Sequence, residues 1–283
     1  MTANDVSPIA AAFNALNSAN AAWNVSIERP AGVGWIAGVE MKDAHTGPFN
    51  ELLMRIGEQS RSDDKLTIAA SFALRFGYAS AIAIAPYLRF QCVPDISLGN
   101  VAFKFGAGTF FERTALYVPR GVVIEGDSRA THPSMTTVPD ANTLLQRLRE
   151  ALVSQAAPVV DALYRWSGFA HRGTWGMLTS SWASQFTTFC NNPHDQRDVA
   201  PQLDAFFAGD DIVAEMRPIM TAVATDSETH LYQRRASCCR FYLLPGGNLC
   251  ASCPLVGDDE RMHRNVAWLK SQQVRAQPQQ KLH

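Results

Sequence analysis

Apolar residues recur at three- and four-residue steps through most of this chain. In "GPFNELLMRIGEQS", Phe49, Leu52, Leu53 and Ile56 share one side of a 3.6-residue period, which predicts an amphipathic helix. Ser62-Asp63-Asp64 supplies a cap and first-turn acids for the next helix, carrying Ile68 to Phe76. Ser7-Pro8 marks an earlier start, with serine as cap and proline at the first helical position. "TLLQRLREALVSQAAPVVDALYRW" sets Leu144, Leu145, Leu148 and Leu152 on a helical face, and Pro158 predicts a kink or break. Beyond it Trp175, Leu178, Trp182 and Phe186 form an aromatic stripe that reads as core packing. Weaker amphipathic patterning returns at Leu203 to Phe207 and from Asp258 to Leu269.

The period changes after Pro94. In "NVAFKFGAGTFFERTALYVPRGVVIEGD", Val101, Phe103 and Phe105 alternate, Gly106 and Gly108 interrupt, and a second run ends at Val118. With Val122 to Ile124 this predicts an antiparallel meander of two or three strands. The expected class is therefore α+β: a mainly helical body, a small antiparallel sheet and a C-terminal segment that holds four of the six cysteines. The expected division is 1–230 for the body, 231–270 for the cysteine segment and 271–283 for a polar tail. "LTIAASFALRFGYASAIAIAPYL", Leu66 to Leu88, is long enough to raise a membrane span. Arg75 near its middle, with Gly77 and Pro86, favours buried core helices and leaves peripheral membrane association as the most to expect.

Charge narrows the function. Lys plus Arg number 25 and Asp plus Glu 26, and no basic patch stands out, so no nucleic-acid partner is expected. The N-terminus lacks the basic region of a secretory signal, and a cytoplasmic location is expected. "GVGWIAG" at 32–38 lacks the strand before it and the helix after it that a dinucleotide fingerprint needs. The acid pairs Asp63-Asp64, Asp210-Asp211 and Asp258-Asp259 read as helix starts or exposed turns rather than acid/base couples. His171, beside Arg172, reads as a surface or capping residue. No nucleophile, general base or other catalytic residue can be assigned.

Chemistry concentrates in "SCCRFYLLPGGNLCASCPL", where Cys238, Cys239, Cys250 and Cys253 follow C-C-x10-C-x2-C. Three uses compete. Disulfides suit a reducing compartment poorly, and adjacent cysteines bridge only with strain. Structural zinc usually takes two knuckle-like pairs, and here one half is a bare vicinal pair. A 2Fe–2S cluster spreads four terminal sites over a larger volume, so vicinal side chains can diverge onto it. The spacing favours the last. Pro245-Gly246-Gly247-Asn248 predicts a turn that returns Cys250 and Cys253 to the vicinal pair, with glycines letting backbone N–H groups approach the sulfurs. Arg234, Arg235 and Arg240 flank the motif and can offset a cluster charge of about −2. Cys92 and Cys190 read as buried thiols.

From Ser237 to Leu255 the motif resembles the C-terminal signature of the ferric siderophore reductases of FhuF type, and upstream the likeness is looser. The resemblance implies a 2Fe–2S cluster on Cys238, Cys239, Cys250 and Cys253. It also implies one-electron reduction of a ferric siderophore of hydroxamate type, releasing Fe(II). Electrons would come from a separate reductant such as a ferredoxin, flavodoxin or reductase. Two rivals stand beside it: a non-catalytic siderophore-binding or redox-sensing iron–sulfur protein, and a zinc-stabilised interaction module.

Overall fold

The helical periods become helices in the computed structural model, which describes residues 6–20, 24–30 and 32–276. They are α1 (Pro8–Ala19), α2 (Gly47–Ser60), α3 (Lys65–Ser80), α4 (Ile84–Phe90), α5 (Ala141–Ser167), α6 (His171–Thr188), α7 (Ala200–Phe206), α8 (Ile212–Glu215) and α9 (Asp258–Ala276). The strands are β1 (Val25–Ile27), β2 (Trp35–Ala37), β3 (Val93–Pro94), β4 (Val101–Phe105), β5 (Phe111–Leu116), β6 (Gly121–Ile124), β7 (Met135–Val138), β8 (Ile219–Ala224) and β9 (Thr229–Arg234). The class is α+β.

The caps work as their chemistry requires. Ser7 caps α1 ahead of Pro8, Asp64 accepts from Leu66 N–H at the start of α3, and Asp211 caps α8. Helix α5 departs from expectation: it runs unbroken through Pro158. Its buried face, from Leu144 through Leu152 and Val159 to Trp166, holds the helix on both sides of the proline. Burial outweighs the one lost backbone hydrogen bond. Helix α9 continues past residue 271, the expected start of the polar tail; residues 277–283 lie outside the described residues.

The meander holds for two strands. β4 and β5 pair antiparallel, with Val101 opposite Leu116 and Phe103 opposite Thr114. The third run leaves them: β6 pairs antiparallel with β3 and parallel with β7 in a second sheet. Pro119 has no N–H to continue a ladder, and the chain crosses there to a different partner. The first sheet, in order β1-β5-β4-β2, also has a parallel pair at β1 and β5, so both sheets are mixed. β8 and β9 form a separate antiparallel hairpin.

Helices α3 and α6 make the most extensive helix pair, at the centre of the body. Small residues let them approach: a Cβ at Gly77 would lie 2.6 Å from the Ser181 Cβ. Ser181 Oγ donates to the Leu74 carbonyl, and Trp182 Nε1 donates to Ser80 Oγ at 3.1 Å. Phe49 of α2, Phe72 and Phe76 of α3, and Phe103 and Phe105 of β4 pack ring against ring where α2 and α3 meet the first sheet. The apolar stretch that raised a membrane span is 78% buried in this core. The aromatic stripe of α6 is buried with it.

Candidate iron–sulfur site

The body ends in β9, which lies along α6 with Gln233 Nε2 donating to Ser184 Oγ at 2.7 Å. From that strand the chain enters the cysteine segment already located. Ser237 Oγ donates to the Gly173 carbonyl at 2.8 Å, in the first turn of α6. Arg240 takes a left-handed backbone (φ +60°) and reaches the start of α3. Its Nε donates to Thr67 Oγ1 at 3.0 Å and its Nη2 to Asp64 Oδ2 at 3.0 Å. A short turn at Phe241–Leu243 follows, and Gly246 (φ +74°) reverses the chain, with Gly247 N–H donating to the Leu244 carbonyl at 2.8 Å.

The returning arm is tied back at its base. Arg235 N–H donates to the Ser252 carbonyl at 2.9 Å, closing the loop. Arg261, in α9, is buried; its Nη2 donates to the Cys253 carbonyl at 2.9 Å and also to that of Val256. Arg264 Nη1 donates to the Leu249 carbonyl at 2.8 Å. The first helical turn of α9 carries Asp258, Asp259 and Glu260, acids placed where the helix dipole favours them.

This frame brings all four cysteines together as two pairs. Cys238 Sγ lies 3.8 Å from Cys253 Sγ. Cys239 and Cys250 share a hydrogen bond, and the Arg235 guanidinium contacts both, at 3.6 Å from Cys239 Sγ and closer to Cys250 Sγ. The adjacent cysteines thus fall in different pairs. All four are free thiols. Among the described residues no three His, Cys, Asp or Glu side chains are gathered around one point, and the four thiols stand as two pairs. Two pairs of thiolates match the division between two irons instead.

Donors face these sulfurs in a regular way. Arg240 N–H donates to Cys238 Sγ at 3.3 Å, Phe241 N–H to Cys239 and Leu255 N–H to Cys253, each from two residues downstream. The glycines expected to supply such contacts make the chain reversal instead. Arg235 is buried, and its Nε has no partner in the structure. An unpartnered guanidinium N–H beside paired thiols suits a cofactor that is anionic and accepts hydrogen bonds. The residues fit a 2Fe–2S cluster.

Without metal, the electrostatics are uneven. The Cys250 thiol is held down to about 5, first by the hydrogen bond from Cys239 and then, against burial, by Arg235. That same hydrogen bond, with burial, pushes the Cys239 thiol up. Burial also raises Cys253. Cys250 is therefore the thiol of the four that most readily ionises.

The other sequence candidates lie elsewhere. His171 Nε2 bonds Asp161 Oδ1 at 2.9 Å on the surface, with its ring 4.5 Å from that of Tyr164. Cys92 and Cys190 are buried, and burial raises both thiols. Sequence reasoning weighted Arg234, Arg235 and Arg240 alike. The structure gives Arg235 to the sulfurs and Arg240 to Asp64. It missed Arg261, whose only signal was its place in the first turns of the last amphipathic helix.

Residues 235–255 match the family model described as the FhuF 2Fe–2S C-terminal domain. The four cysteines lie inside that span, and the match indicates a 2Fe–2S cluster as cofactor. The segment is of the iron–sulfur type found in siderophore reductases. No curated protein matches the chain.

Proposed function

We propose that this chain is a cytoplasmic ferric siderophore reductase. The observation that carries the reading is the set of two cysteine pairs, Cys238 with Cys253 and Cys239 with Cys250, inside the matched segment. When bound, the cluster supplies a one-electron couple. The substrate iron accepts that electron, passing from Fe(III) to Fe(II), and a separate donor of ferredoxin, flavodoxin or reductase type replaces it. Hydroxamate oxygens are hard donors that hold Fe(II) much less well than Fe(III), so the reduced ion leaves and protons take its place.

The chain's own groups set the conditions. Arg235 places a buried positive charge beside Cys239 and Cys250, where an added electron is stabilised. The three backbone N–H donors act in the same direction. Ser237 and Arg261 hold the two arms to α6 and α9, which keeps the sulfurs in place as the charge changes.

The test is anaerobic purification with iron, sulfide and zinc analysis, then EPR after dithionite reduction. Two irons and two sulfides per chain with a paramagnetic reduced state are expected. The reduced protein is then mixed with a ferric trihydroxamate and an Fe(II) trap, and trapped Fe(II) should match the electrons delivered. Stoichiometric zinc without sulfide would sink the reading. A reversible cluster that never reduces the chelate would leave a redox-sensing protein.

A further inference from the structure

Reduction requires a place for the chelate close to the four cysteines. A cleft of about 540 Å³ opens between the C-terminal half of α6, strand β9 and helix α9. Its size is that of small-molecule sites, roughly 300–1,000 Å³. Part of its wall is Ala251 and Ser252, the two residues between Cys250 and Cys253. Ser252 Oγ lies 3.8 Å from Cys250 Sγ, so a single side chain separates the cleft from the sulfurs.

Two other clefts compare poorly. One lined by Val93, Gly121 and Arg147 contains no residue of the cysteine segment. Another, of about 420 Å³ beside Arg75 and Phe110, touches the segment only at Phe241, Leu244 and Pro245, in the turn between Cys239 and Cys250.

The lining selects the ligand's chemistry. Tyr78, Tyr232 and Trp268 present rings, and Trp268 is 55% exposed although nothing in the core needs it there. Gln233 spends its Nε2 on Ser184, while its Oε1 is buried without a partner. Of the two basic residues of the lining, Arg264 is engaged with Glu260 and the Leu249 carbonyl, and the His230 ring lies 3.2 Å from the Glu228 carboxylate. A multiply charged anion finds no uncommitted cation here. A neutral complex with flat hydroxamate planes finds aromatic faces.

We infer that this cleft is the docking site of the ferric chelate and takes an uncharged trihydroxamate complex against Tyr232 and Trp268, with Ser252 between it and Cys250. The inference rests on the reductase reading. It is tested on the cluster-loaded full chain by calorimetric titration with the gallium(III) complex of an uncharged cyclic-peptide trihydroxamate, which binds like the ferric complex but accepts no electron. Trp268→Ala and Tyr232→Ala should each weaken Kd at least tenfold, with the absorption spectrum and reduction potential of the cluster unchanged. Thr188→Trp, from an exposed position on the lining, should abolish binding by filling the cleft, a result that needs no core residue altered. The trianionic gallium tris-catecholate should bind at least tenfold more weakly than the neutral complex.

An unchanged Kd in all three variants overturns the inference, as does loss of binding on Phe110→Ala, which would seat the chelate in the other cleft. So does failure of the wild type to bind the gallium complex. Each of these leaves the reductase reading standing if the wild type still reduces the ferric trihydroxamate. Absence of that reduction is the separate result that defeats the reading itself.

Discussion

The α3–α6 core and the cysteine segment are stabilised by different physics. Around Trp182, the chain buries ring upon ring: Trp175 and Phe206 pack edge-on against it, and Phe186 against Phe206. From Ser237 to Leu255 almost nothing apolar is buried except Cys253. Phe241, Tyr242, Leu243 and Leu255 are all exposed. What locates that segment is a set of polar ties, from Ser237, Arg240, Arg261 and Arg264, and the convergence of four sulfurs. A core of that kind is stable by burial alone, whereas a loop of polar ties depends on what its thiolates bind.

The contrast is broken most severely by removing a thiolate. Cys253→Ala should bring iron and sulfide to background, since one pair then holds a single ligand. Hydrogen exchange should accelerate across 236–256 while α3 and α6 keep their protection. Loss of protection in both regions would show one cooperative unit. Trp182→Ala makes the opposite cut. It should cost about 3–5 kcal/mol of unfolding free energy in denaturant titration, because a fully buried indole leaves a cavity. The folded fraction should keep its full iron content.

A smaller change sharpens the contrast within the site. Arg235→Met keeps the packing volume and removes the cation beside Cys239 and Cys250. The reduced cluster carries one more negative charge than the oxidised one, so the cation stabilises it more. Loss of a charge-assisted hydrogen bond of about 1.5–3 kcal/mol should lower the potential by roughly 60 mV or more. Arg235→Lys should fall between, since it keeps the charge but not the fork. Potentiometric titration followed by EPR reads both. An unchanged potential in the methionine variant would make Arg235 a tie of the loop, through its N–H to Ser252, and nothing more.

These differences also explain what the sequence could disclose. Helix α2 was legible because its burial follows a single period, α6 because its large apolar residues fall at helical steps although it is buried nearly all round, and the cysteine loop because its cysteines are close along the chain. The β8–β9 hairpin was not. Val223 is buried, but most of the residues in these strands remain half-exposed, so no alternation marks them. β6 was misplaced because period 2 reveals a strand and not its partner. The docking cleft was hidden for a third reason: Tyr78, Tyr232 and Trp268 come from α3, β9 and α9, far apart in the chain. Arg235 became distinct from Arg234 and Arg240 only through burial, which tertiary packing decides.

The smallest expected effect concerns the charged tie between segment and core, Arg240 to Asp64. The Thr67 hydroxyl first, and then Arg240 with the Leu66 N–H, hold the Asp64 carboxyl below its ordinary value of 3.8. A depressed carboxylate contributes stability above its unfolded pKa and loses it as pH falls through the lower folded value. Both partners are substantially exposed, so the pair is worth no more than about 1 kcal/mol. Asp64→Asn keeps a capping oxygen for α3 while removing the charge. The variant should therefore unfold slightly more easily at pH 7, and the difference from wild type should shrink and vanish as the pH falls below 3.8 and Asp64 takes up its proton. A difference that persists there would assign the tie to the cap of α3 rather than to charge, and the segment would then be held to α3 by the Thr67 hydrogen bond alone.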